Sequence, residues 1–166
     1  MHRIGRVLVG VSGSAASLEA LRTAHHLARL IDRPLVAITV WDLPNRQRHG
    51  VPQPVLDDCR GEAHARLRTA FDEAMGGPPR DVELTCLVVR GVPGPALVTI
   101  ADRVDAVVVV GRSHRRLTGA LFLARSVDAH CVRHAPGCVL VTTPPPLLDA
   151  ARRPRVDRWE SLLDAG

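Results

Sequence analysis

The side chains in this sequence that could hold a charged ligand are all of one basic type. The chain has 22 Lys and Arg residues, every one of them Arg. Without Lys there is no Schiff-base lysine, no lysine general base and no P-loop lysine. Arg112, Arg115, Arg116 and Arg125 lie in or beside one short segment that follows an apolar run. Their guanidinium groups are suited to holding an anion through side-chain hydrogen bonds, although a solvated basic loop without a ligand fits the same pattern.

Nucleophilic and metal chemistry has less support in the sequence. Ser12 and Ser126 stand where turns and helix N-caps are expected, and no spacing of His and Asp supplies either one with a base. His130 and His134 share a helix face, but no carboxylate motif accompanies them. The four cysteines show no C-x-x-C spacing, and we expect buried small apolar residues rather than a zinc site. They are Cys59, Cys86, Cys131 and Cys138. We therefore predict no catalytic residue and no metal ligand.

Composition excludes several classes of protein. The 166 residues are 46% hydrophobic and 23% charged, which is typical of one globular domain. Aromatic residues make up 2%, too few to bind single-stranded nucleic acid by stacking, despite a net charge of +5. No apolar run is long enough to span a membrane, and no signal peptide precedes the first strand-like segment. We expect a cytoplasmic protein without nucleic-acid or membrane partners.

Short apolar runs alternate with helical patterns along the first 143 residues. Ser14 is expected to cap the first helix, and Asp32-Arg33-Pro34 to end it. The expected strands are Arg6–Val11, Leu35–Trp41, Val82–Val88, Val107–Val110 and Cys138–Val141. The later helices are expected at Val55–Ala74, Ala96–Arg103 and Leu121–His134. Five strands alternating with four helices predict an α/β fold, with a parallel sheet covered by helices on both faces.

Five separate segments resemble the universal stress protein family, in the order in which that family has them. They are Val7–Ser14, Ser17–Ala24, Val88–Leu97, Asp105–Gly111 and Arg125–Thr142. The resemblance implies a three-layer, doubly wound sheet of order 3-2-1-4-5, of the adenine nucleotide α-hydrolase-like type. It covers a domain at 1–143 and leaves a Pro/Arg-rich tail at 144–166. The tail is either solvated and disordered or docked through Trp159, with a short helix at 155–164.

The resemblance also implies a nucleotide site where strands one and four lie side by side, since open α/β sheets bind ligands at such a switch point. Many members of the family bind ATP there, with Mg²⁺ as the only accompanying metal. The phosphates would lie near Gly111, Arg112, Ser126 and the N–H of Val127. The full candidate set is Val11, Ser12, Val40, Val110, Gly111, Arg112, His114, Arg125, Ser126 and Val127.

This sequence departs from the phosphate motif of the family, which is G-x-x-G, nine residues, then G-[S/T]. His114 stands at the second Gly position, and Arg125 replaces the Gly before Ser126. Ser12 replaces an Asp after the first strand. A side chain at a Gly position hinders the close approach of backbone to phosphate. Compared with the family it resembles, this sequence is therefore expected to have a diverged and weak nucleotide pocket.

The last strand is an expected sheet edge that is apolar on both faces. Such an edge favours pairing with another chain. Members of the resembling family dimerise through this strand, which implies a homodimer. The interface would contain Cys138, Val139, Leu140, Val141 and Thr142.

Three hypotheses about function follow. The first is a stress-response binding or regulatory module of the universal stress protein type, with a weak nucleotide pocket and no enzymatic activity. The second is a functional ATP-binding protein with slow or no hydrolysis. The third is a basic adaptor that binds acidic partners through its arginines.

Overall fold

The structure is a computed structural model that describes residues 4–42, 50–112 and 126–143. Strands and helices alternate along these residues. The strands are β1 (Arg6–Gly10), β2 (Leu35–Trp41), β3 (Leu84–Arg90), β4 (Ala106–Gly111) and β5 (Val139–Thr142). The helices are α1 (Ala15–Ile31), α2 (Gln53–Met75), α3 (Pro93–Arg103) and α4 (Val127–His134).

The strands form one parallel sheet of order β3-β2-β1-β4-β5, which confirms the predicted fold class. β1 and β4 are neighbours, with Val7 opposite Val107 and Val9 opposite Val109. Both strands are apolar on both faces because helices cover both sides of the sheet. One core cluster lies between the sheet and helices α1 and α2, and a second lies on the α3 and α4 side.

Helix α1 begins and ends where the sequence predicts. The Ser14 hydroxyl accepts a hydrogen bond from the backbone N–H of Ser17 at 3.2 Å, as an N-cap does. Asp32 ends the helix in the left-handed conformation with φ 51°, and its N–H bonds to carbonyls of the last turn. The Ser14 cap fixes the first turn of α1, which lies at the carboxyl ends of the central strands.

Three helix starts differ from expectation. α2 begins at Gln53, two residues before the predicted start at Val55. α3 begins at Pro93, three residues before the predicted start at Ala96, because proline is well tolerated in a first helical turn. α4 begins at Val127, since Ser126 is extended with ψ 129° and caps the helix. The predicted helix from Leu121 is therefore wrong at Ser126, and residues 121–125 lie outside the described part of the chain.

The expectation of four buried cysteines is wrong. Cys131 alone is fully buried, whereas Cys86 and Cys138 are exposed and Cys59 is half-buried. Cys86 lies in β3 and Cys138 just before β5, and these are the two edge strands of the sheet. An edge strand has a neighbour on one side only, so part of it is open to solvent. The apolar character of a cysteine does not show whether its strand lies at an edge.

Candidate functional site

A cavity of about 490 Å³ opens at the carboxyl ends of β1 and β4, beside the first turn of α1. The connections from β1 and β4 leave the sheet in opposite directions, so a crevice forms between these neighbouring strands. The lining residues are Gly10, Val11, Ser12, Ser14, Ala15, Ala16, Ser17, Ile38, Val40, Pro93, Leu97, Val110, Gly111, Arg112 and Val127.

The floor of the cavity is apolar. It combines Ile38 of β2, Leu97 of α3 and Val110 of β4, all buried, with the half-buried Val40 and Val127. These side chains come from four different elements and lie on the α3 and α4 side of the sheet. A floor of this kind suits the flat, weakly polar face of an aromatic ring.

Serine hydroxyls form the rim on the side of α1. The Oγ atoms of Ser12 and Ser14 lie 3.0 Å apart, and the Ser12 N–H donates to Ser17 Oγ at 3.2 Å. The Ser17 hydroxyl in turn donates to the Ser14 carbonyl at 2.9 Å. Gly13 lies between the first two serines with φ 81°, a left-handed conformation that favours glycine. These hydroxyls hold the turn and cap the helix, which is a structural role.

Arg112 is the charged side chain of the lining. Its backbone N–H donates to the Thr142 carbonyl at 2.7 Å, which ties the end of β4 to β5. The buried Thr142 hydroxyl shares its one proton between the Val110 carbonyl at 3.4 Å and the Ala16 carbonyl at 3.5 Å. The backbone of Arg112 is thus held firmly, and its guanidinium gives the mouth of the cavity a positive charge.

Gly111 has a packing role that the sequence did not indicate. A Cβ atom on this residue would lie 2.4 Å from both the carbonyl carbon and the oxygen of Ala16, and 2.8 Å from the N atom of Ser17. The end of β4 therefore touches the backbone of the first turn of α1. Glycine is required here by the protein itself, whether or not a phosphate approaches.

Helix α4 points its N-terminus towards the cavity through Val127. The Ser126 hydroxyl accepts from the Ala129 N–H at 3.4 Å and donates to the Asp128 carboxylate. Burial raises the pKa of the Cys131 thiol to about 11, with the negative charge of Asp128 adding to the effect.

The structure brings most of the predicted nucleotide-binding residues to one cavity. Seven line it, namely Val11, Ser12, Val40, Val110, Gly111, Arg112 and Val127, and Ser126 precedes Val127. His114 and Arg125 lie outside the described residues, as do Arg115, Arg116 and the tail from residue 144 with its predicted helix. Whether this set binds a nucleotide stays a prediction. Ile38 and Leu97 were missed, although Ile38 stands two residues before Val40 and therefore on the same strand face.

The histidine pair on α4 packs ring against ring. The ring centroids of His130 and His134 lie 4.5 Å apart. The pKa of His130 is lowered, chiefly by burial and then by the charges of His134 and Arg133. Within the described ranges, no cluster of three or more His, Cys, Asp or Glu residues could hold a metal ion.

In the described part of the chain, no helix combines the length and the apolarity that crossing a membrane requires.

A parallel sheet of order 3-2-1-4-5 with helices on both faces is the architecture of the adenine nucleotide α-hydrolase-like class of proteins, and this chain has it. The family model of the universal stress proteins matches residues 3–143. The chain therefore belongs to the universal stress protein family.

Solved structures support this assignment. A universal stress protein in complex with cAMP is 27% identical, with a TM-score of 0.56 over 86% of this chain and 98% of that chain. A universal stress family protein from Burkholderia pseudomallei is 25% identical, with a TM-score of 0.60 over 85% and 96% of the two chains. UspA from Lactobacillus plantarum shares the fold at 21% identity, with a TM-score of 0.62 over 84% and 98%. The search of curated proteins found no match.

Proposed function

We propose that this chain is a stress-response binding module, located in the cytoplasm, that holds an adenine nucleotide in the cavity and does not transform it. The observation that carries the proposal is the cavity itself, which has an apolar floor and a cationic mouth at the junction of β1 and β4. The 27% identical relative was crystallised with cAMP. Adenine would lie against Val11, Ser12 and Val40, and phosphate near Gly111 and Arg112.

A ligand with one phosphate suits this site better than ATP. Within the described lining, Arg112 is the single cationic side chain, and no Asp or Glu is available there to hold Mg²⁺. Ser12 offers a hydroxyl where the resembling family has a carboxylate, so hydrogen bonding to the ligand is weaker. We therefore propose a diverged pocket that binds AMP or cyclic AMP more tightly than Mg·ATP.

The lining argues against catalysis. Its described residues include no His, Cys, Asp or Glu that could act as a general base or as a strong nucleophile. The serine hydroxyls need such a base to attack a phosphorus atom, and Ser14 and Ser17 are engaged in capping α1. We expect bound nucleotide to remain intact over hours of incubation.

Calorimetry with adenosine, AMP, cyclic AMP and Mg·ATP tests the proposal. The variant Val40→Phe places a ring in the cavity and should abolish binding. Leu87→Phe is the matched control, because Leu87 is also half-buried on the same face of the neighbouring strand but does not line the cavity. The proposal is wrong if none of the four ligands binds, or if Val40→Phe and Leu87→Phe bind equally well.

We also propose that the protein is a homodimer paired through β5. This strand is an edge of the sheet, and Leu140 is 39% exposed on it. Two copies of the strand could pair antiparallel about a two-fold axis, which would cover the apolar edge. Sedimentation at micromolar concentration should show a dimer for the wild type and a monomer for Leu140→Asp.

The control for this experiment is Leu30→Asp, since Leu30 is a 73% exposed leucine on α1. It should leave the dimer intact. A monomeric wild type, or a dimer that survives Leu140→Asp, would count against pairing through β5.

A further inference from the structure

We infer that the contact between Gly94 of α3 and His130 of α4 sets the width of the cavity, and thereby the size of the nucleotide base that the cavity accepts. The inference deepens the proposed function and rests on it. It assigns a specificity-determining role to two residues that are not themselves part of the lining.

Helices α3 and α4 both present their first turns to the cavity. Pro93 and Leu97 of α3 line it, and so does Val127 of α4. Gly94 follows Pro93 directly and stands three residues before Leu97. His130 likewise stands three residues after Val127. Residues three apart share a helix face, so Gly94 and His130 belong to the faces that meet beside the cavity.

The buried Gly94 allows an unusually close approach of the two helices. A Cβ atom on Gly94 would lie 2.8 Å from the Cγ atom of His130, and 2.9 Å from both its Cβ and its Cδ2 atoms. Carbon atoms in contact normally lie about 3.5–4.0 Å apart, so a larger residue than glycine would push the helices apart. Rotation of the ring would not relieve this overlap, because the Cβ atom of His130 is fixed to the backbone of α4.

The side chain of His130 acts as a spacer between the helices. It is half-buried, and the ring of His134 lies 4.5 Å from its ring, which limits the space into which it could move. Burial is the main reason why the pKa of His130 lies below its usual 6.5. The ring is therefore uncharged at about pH 7.5, and its effect on the cavity at that pH is steric.

The spacing of α3 and α4 matters for the base of the ligand. The apolar floor of the cavity includes Leu97 and Val127, one from each of these helices. In the proposed complex the base lies on this floor, so the separation of the two helices limits the size of the base. A single methylene group in an apolar pocket changes the ratio of two affinities by about 10–200-fold, so a shift of a fraction of an ångström is measurable.

The test compares the dissociation constants of AMP and of etheno-AMP, in which a further ring is fused to adenine, at about pH 7.5. Gly94→Ala should force the helices apart by roughly 0.5–1 Å. We expect the affinity for etheno-AMP, relative to that for AMP, to rise by about three to ten times. Adding His130→Gly removes all three atoms that the new methyl group meets, so the double variant should return to within about twofold of the wild-type ratio.

Gly61→Ala is the matched control, because it also adds a methyl group within a helix but meets nothing within 4 Å. Its ratio of affinities should equal that of the wild type. A variant that is merely less stable binds both ligands less well, whereas a change in the width of the cavity alters their ratio. If Gly94→Ala does not fold, His130→Gly alone replaces it: the helices should then move closer, and the ratio should shift against etheno-AMP.

Three outcomes would contradict the inference. It is overturned if AMP binds but the ratio is unchanged in Gly94→Ala, or in His130→Gly where that variant replaces it. A double variant that keeps the ratio of Gly94→Ala would show that the effect does not pass through His130, and would overturn it too. If the wild type binds neither ligand, the proposed function fails and the inference fails with it.

Discussion

Replacing Gly111 by alanine tests the closest backbone approach at the candidate site. The new Cβ would lie 2.4 Å from two backbone atoms of Ala16, whereas carbon atoms in contact normally lie about 3.5–4.0 Å apart. The end of β4 and the first turn of α1 must then separate by about 1 Å. Because backbone rather than a flexible side chain must move, we expect the upper end of overpacking costs, about 3 kcal/mol.

Urea unfolding and thermal melting measure this cost. At a given protein concentration, about 3 kcal/mol lowers the Tm of a chain of this length by about 6–12 °C. Gly61→Ala is the control, since Gly61 is exposed within α2 and a Cβ there meets nothing within 4 Å. Alanine is the better helix former, so this variant should be more stable than the wild type by about 1 kcal/mol.

The two variants add the same methyl group, but Gly111→Ala is expected to lower the free energy of unfolding and Gly61→Ala to raise it. If Gly111→Ala unfolds at the same urea concentration as the wild type, the close approach of β4 to α1 is wrong. If it is stable but loses nucleotide binding, the glycine serves the ligand rather than the packing. Lower stability in the absence of any ligand is the result that the geometry requires.

Three further predictions concern single side chains. Thr39 is fully buried and its hydroxyl has no hydrogen-bond partner among the described residues, so Thr39→Val should raise the free energy of unfolding by about 1–2 kcal/mol in urea. A destabilised Thr39→Val would contradict this. The pKa of Asp81 is lowered from 3.8, chiefly by its hydrogen bond with His25. Because the folded-state pKa is depressed, the stabilisation is present above pH 3.8 and is lost as the pH falls through the folded value. The stability deficit of Asp81→Asn in urea should therefore be seen at neutral pH and disappear in strong acid, and a deficit that persists there would refute the linkage. Cys131 is buried with a pKa of about 11, so a thiol reagent at mildly alkaline pH should modify Cys138 long before Cys131, as peptide mass analysis would show.

Local sequence signals predicted the elements well. The apolar run Leu35–Trp41 is β2 over the same residues, and Ser14 caps α1 as expected. Both features depend on neighbours in the chain, namely a run of β-favouring residues and a serine three positions before the N–H that it accepts from. The order of the strands came from the resemblance to a family rather than from any local pattern.

The side-chain environment was harder to predict. Cys86 and Cys131 have the same side chain, yet the first is exposed on an edge strand and the second lies on α4 and is buried in the core. Burial depends on which element covers a residue, and the sequence around a cysteine does not contain that information. The floor of the cavity was only partly predicted for the same reason, because Ile38 and Leu97 belong to different elements that meet in space.

The sequence by itself determined the alternation of strands and helices, the absence of lysine chemistry and the family resemblance that locates the site. Tertiary structure decided what the site residues do. Gly111 and Ala16 are far apart in the chain, and only the packing of β4 against α1 shows that this glycine is a steric requirement. Val127 lines the cavity only because the fold directs the N-terminus of α4 towards it. Helix capping and hydrophobic periodicity involve residues close together in the chain, whereas steric fit between elements depends on distances that the fold alone sets.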